Sequence, residues 1–338
     1  MTENNMIDRT QIKKELITFL ALTFATTFII EFTVWGLFGI STLFMYSIFA
    51  MFIPALVAIF CMYIFKSKAL TRESKIFLIF FLIVALTSVI LLVSGTMQKY
   101  SVFMSIFNVI GFLVIFILNL KKKWRNNLQA AKLSLGKNLK YYLTLLLIFS
   151  GIFIIGNILS YYFKLSLPVN EYNLKLFFSS LVLILPTFLL SWSLYFGEEY
   201  GWRFYLQDRL FAIFGGYKGV LLAGIIWALW HLPLMMNGLN FSNDSLLLGN
   251  LTYIIYTTLL SIIFGYAVLK TGSVWIAVVL HFLTDNLGNL GKSYIAWTSS
   301  SAVAFLPLLI ILGIFALILL KSKVWEKDET LEKPVLIN

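Results

Sequence analysis

The chain has 338 residues, 60% of them hydrophobic and only 12% charged, with a mean hydropathy of +0.91 and a formal net charge of +11. Soluble domains carry about 25% charged residues, and a globule of ~300 residues still covers itself with polar atoms. A cytosolic enzyme and a disordered chain are therefore excluded, and no basic–aromatic groove supports a nucleic-acid partner.

Ten apolar stretches follow in order, at 16–38, 43–65, 76–94, 102–120, 141–163, 174–197, 219–237, 248–269, 273–293 and 302–320. Each is roughly the ~20 residues that a transmembrane helix needs. A membrane barrel would show short alternating segments instead. The pattern predicts an all-α, polytopic helical membrane protein of about ten spans. The first span is too long for a cleaved signal peptide, and its Glu31 is expected to face other helices rather than lipid. Cys61, the single cysteine, reads as a small core hydrophobe and excludes an intrachain disulfide.

With both termini placed in the cytoplasm, inner segments hold 22 of the 26 Lys and Arg, and outer loops hold Lys99, Lys164, Lys175 and Lys292. That asymmetry follows the positive-inside rule. The expected location is the cell membrane. Residues 121–140 form a basic cytoplasmic connector suited to anionic headgroups. They divide a four-helix accessory region (1–120) from a six-helix catalytic core (141–320), and a charged tail (321–338) follows.

Ionisable residues concentrate in the last six spans. The first cluster is Gly197-Glu198-Glu199-Tyr200-Gly201-Trp202-Arg203, where Glu199 and Arg203 are i,i+4 helical neighbours and Glu198 is left without that partner. Trp227 and His231 are related in the same way, so the indole is expected to stack on the imidazole. His281 and Asp285 again share a helical face, with Asn286 beside them. The chain's two histidines both fall within spans, where ionisable groups are costly.

Such a set supports two chemistries. A Glu and a His can hold one water, with the Glu as general base, while the second His, positioned by Asp285, donates to an oxyanion forming on a carbonyl. Alternatively, Glu198, His231 and His281 match the ligand types of a catalytic zinc with an open fourth position, although the compact H-E-x-x-H spacing is absent. The three must also meet. At 1.5 Å per residue, His281 lies about 12 Å in from Ser273 and His231 roughly 18 Å beyond Gly219, while Glu198 sits at the inner end of its span. They converge if the sixth span stays helical past Arg203, or if the seventh begins outside the bilayer.

E-E-x-x-x-R at Glu198, Glu199 and Arg203, aromatic-x-x-x-H at Trp227 to His231, and H-x-x-x-Asx at His281 to Asp285 occur in order, each on its own helix. This arrangement resembles the CAAX protease and bacteriocin-processing (CPBP, Abi) family of intramembrane endopeptidases, similar to the Ras-converting CAAX endopeptidases. The likeness covers about 174–294. It implies Glu198 as the water-activating base with His231 as its partner, Glu199 and Arg203 as orienting groups, and His281 with Asp285 at the oxyanion. A glutamate mechanism without metal is favoured over zinc. Phe204 stands where a glycine is common, and Asp285 where Asn is.

The expected activity is hydrolysis of a peptide bond in a membrane-associated peptide or protein tail, as in CAAX processing, peptide-signal maturation or bacteriocin self-immunity. The alternatives are a non-catalytic membrane scaffold or regulator, and a proton-coupled transporter. The motif-free first half and the four-plus-six division speak against duplicated transporter halves.

Overall fold

The computed structural model describes residues 9–39, 46–94, 96–136, 138–163, 165, 174–237, 245–287 and 302–326. All regular structure among them is helical. In hydrocarbon no water satisfies the backbone, so each apolar segment closes its own hydrogen bonds as a helix. The helices are α1 (Arg9–Phe38), α2 (Ile53–Ile64), α3 (Arg72–Val93), α4 (Met97–Leu120), α5 (Lys122–Gln129), α6 (Leu139–Tyr162) and α7 (Leu174–Glu199). A π-helical segment (Tyr200–Leu206) leads into α8 (Gln207–Phe214), followed by α9 (Gly216–Trp230), α10 (Leu232–Met236), α11 (Leu246–Thr271), α12 (Trp275–Leu287) and α13 (Ala302–Leu320).

Eight helical segments among the described residues, counting Tyr46–Ile64, which ends in α2, are long and apolar enough to cross a membrane, which makes this a multi-pass helical membrane protein. The other two expected spans are shorter. The stretch 219–237 is broken at His231 into α9 of 15 residues and α10 of five, and 273–293 appears as α12 of 13 residues. Residues 288–293 of that span and 327–338 of the charged tail lie outside the described residues.

The helical rod from α7 through the π segment to α8 is the axis of the molecule. It is continuous from Phe178 to Phe214, 37 residues, so the sixth span does carry on past Arg203. α2, α4 and α12 pack on α7, while α9, α11, α13 and α6 form a second row beside it. The close approach of α2 depends on Gly197 and Gly201. A Cβ on Gly197 would strike the Met51 carbonyl and Phe52 Cα, and one on Gly201 would strike Pro54. Small residues four apart are what let membrane helices touch backbone to backbone, and here they bracket the two glutamates. Gly201→Ala is expected to destabilise the protein by about 1–3 kcal/mol through overpacking. A lower thermal unfolding midpoint in detergent would show this, and an unchanged one would contradict the close crossing.

α1 is tied to the core at two heights. Arg209 donates to Glu15 Oε2 from Nε and Nη2 at 3.0 and 2.7 Å, and Trp230 Nε1 donates to Thr27 Oγ1 at 2.8 Å. Glu31 is buried against protein, as expected, and Cys61 is fully buried.

Candidate active site

α7 changes its winding at Glu199. A π turn holds an extra residue, shifts the faces that follow, and recurs at functional sites. The expected α-helical geometry over 199–203 is thus replaced by π winding, yet Glu199 and Arg203 still pair. Arg203 Nε donates to Glu199 Oε2 at 2.9 Å, and Nη1 donates to Ser261 Oγ on α11 at 2.8 Å. Phe204 is buried and stacks on Tyr200, with ring centroids 4.6 Å apart.

His231 owes its place to Pro233. Proline cannot continue the α9 hydrogen-bond ladder, and the last turn tightens so that the His231 amide bonds to Ala228 O at 3.0 Å. This frees the Trp227 carbonyl, which lies 2.9 Å from His231 Nδ1. A carbonyl only accepts, so Nδ1 carries the proton, and when the ring is neutral Nε2 presents a lone pair. The turn of the ring toward that carbonyl explains why Trp227 and His231 do not stack as expected. Their planes lie 62° apart, edge to face, with centroids 6.1 Å apart.

His281, on α12, meets a partner that the sequence does not suggest. Its Nδ1 stands 2.9 Å from Glu199 Oε1, so Glu199 bridges Arg203 and His281. Asp285 follows one turn on, half-buried, with its charge within reach of the ring. Asn286 donates to Phe282 O at 2.8 Å and to the Tyr195 hydroxyl at 3.4 Å, and Tyr195 packs edge-on to His281.

The Trp227 indole gathers these groups. Its Nε1 donates to Glu198 Oε2 at 2.8 Å. The Arg203 guanidinium lies over its face at 4.7 Å, and the His281 ring meets it at 5.3 Å. Glu198, His231 and His281 therefore surround one side chain. Glu198 is 3% exposed, and Glu199 and Arg203 are fully buried, whereas His231, Asp285 and Asn286 are only partly buried.

No group of three His, Cys, Asp or Glu side chains among the described residues is placed to hold an ion. Glu198 Oε2 meets the Trp227 indole, His231 Nδ1 the Trp227 carbonyl and His281 Nδ1 Glu199, contacts that orient such side chains with or without a metal.

Residues 177–287 match the family model of type II CAAX prenyl endopeptidases, Rce1-like. The chain is also 28% identical over 214 residues to CAAX prenyl protease 2 of Methanococcus maripaludis, covering 62% of this chain and 75% of that protein. Both findings bear out the family resemblance carried by the three motifs and support an endopeptidase of the CAAX prenyl protease type. The matched region contains the whole cluster from Glu198 to Asn286.

Proposed function

We propose that the protein is an intramembrane endopeptidase of the cell membrane that cleaves CAAX-type, lipid-modified tails, with its site open toward the cytoplasm and both termini on that side. The reading rests above all on Trp227, which brings Glu198 and both imidazoles around one indole. A water held between Glu198 and His231 Nε2 donates a hydrogen bond to each. As its oxygen attacks the scissile carbonyl carbon, Glu198 takes one proton, and the carbonyl electron pair moves onto oxygen. His281, with Nδ1 against Glu199, turns Nε2–H toward that oxyanion, and Asp285 supports the ring from one turn further on. The carbonyl then reforms, the C–N bond breaks, and the leaving nitrogen takes the proton from Glu198. A new carboxyl and a new amine result. Hydrogen-bond donors aimed at such an oxyanion contribute about 10²–10³ in rate.

The test is cleavage of a farnesylated CAAX peptide by the purified protein in lipid nanodiscs, with and without a strong metal chelator. Cleavage that needs the farnesyl group and survives chelation is expected. Failure to cleave the farnesylated peptide would refute the substrate class, and loss on chelation with recovery on adding zinc would refute the glutamate mechanism.

A further inference from the structure

Outside the matched region, α1 carries a buried polar stripe that the Thr27–Trp230 bond only partly accounts for. Its inward face carries Ile12, Leu16 and Phe19 together with the Arg209-paired Glu15, then turns polar at Thr23, Thr27 and Glu31, all nearly or fully buried. These three recur every four residues and so lie on one side of the helix. Thr27 is bonded to Trp230, the neighbour of His231, which fixes this stripe against the break that carries the site histidine. Glu31 lies one turn further along, near enough for its charge to act on Glu198. Its Oε2 and the Thr23 hydroxyl are both buried without a protein hydrogen-bond partner. Buried polar atoms in native proteins are rarely left unmade, and ordered water commonly supplies the missing partner.

We propose that Glu31 is a positioning residue for the hydrolytic water, its unpartnered carboxyl oxygen and Glu198 being the two ends of a short water-bridged contact. The inference rests on the endopeptidase reading above. In it, α1 belongs to the catalytic unit: Glu31 holds the second water, which orients the first for attack and refills the site after each turnover. A group that orients the nucleophile without touching the peptide acts on turnover more than on substrate affinity. A misplacement of about 1 Å can cost 10²-fold.

The test compares Glu31→Met, Glu31→Ala and Glu31→Gln in nanodiscs on the same farnesylated peptide, with wild type and Glu198→Gln as active and inactive references. Met fills the space without an oxygen, whereas Gln still binds water. The Met and Ala variants are expected to lose about 10- to 100-fold in kcat with KM within twofold, and Gln to stay within a few-fold of wild type. Wild-type kcat in both Met and Ala would overturn the proposal. So would a loss carried by KM, a Gln variant as impaired as Met, or failure of both Met and Ala to fold, which would make Glu31 a packing residue. An inactive wild type would instead count against the endopeptidase reading.

Discussion

Glu198→Gln is expected to lower kcat/KM for peptide cleavage by about 10³-fold while leaving the protein folded. General-base catalysis by a positioned side chain contributes 10²–10⁴, and glutamine cannot take the proton that this step requires. The substitution is nearly isosteric, and its amide oxygen can still accept from Trp227 Nε1, the bond that places Glu198 at 2.8 Å. An unchanged unfolding midpoint alongside the lost activity is the expected pair of results. Cleavage within tenfold of wild type would remove Glu198 from its role.

Arg203→Met is expected to give the largest loss of stability. The guanidinium is fully buried and is the partner of Glu199 and Ser261 as well as the cation over the Trp227 and Phe264 faces. Removing one partner of a buried ion pair leaves the other charge uncompensated, at a cost of about 3–5 kcal/mol, whereas replacing both with apolar side chains is often nearly neutral. The double variant Glu199→Met/Arg203→Met should therefore recover most of the stability lost by Arg203→Met. It should not recover cleavage, because His281 Nδ1 would have lost the carboxylate at 2.9 Å. Thermal unfolding and peptide cleavage of the single and double variants separate the two effects. A double variant less stable than Arg203→Met would contradict this account of the pair.

Much of this is legible in the residues. Long apolar runs identify membrane helices because hydropathy integrates over a whole span, and eight of the ten expected spans have spanning length. Of the other two, Pro233 breaks the seventh run at His231, where hydropathy is blind to the backbone, and the ninth is described only as far as Leu287, the end of α12. In the site, the Glu199–Arg203 pair is visible because four residues make one helical turn. The Glu199–His281 contact joins helices remote in the chain, and no periodicity encodes it. The role of Trp227 is half visible: its spacing to His231 is local, but its bond to Glu198 depends on how α9 packs beside the rod. The π winding over 200–206 has no signal that helix-period reading detects, although the glycines at 197 and 201 mark the close crossing with α2. Glu31 is noticeable as a carboxyl within a span, while its nearness to Glu198 exists only in the folded chain.

The central claim is that Glu198 and His231 act on one and the same water. Its most direct test is a kinetic cycle with Glu198→Gln, His231→Ala and the double variant, all on one farnesylated peptide. Groups that work as a unit give losses that do not multiply, so the double variant should be no slower than the worse of the two single variants. Losses that multiply across the cycle would show two independent functions and contradict the account.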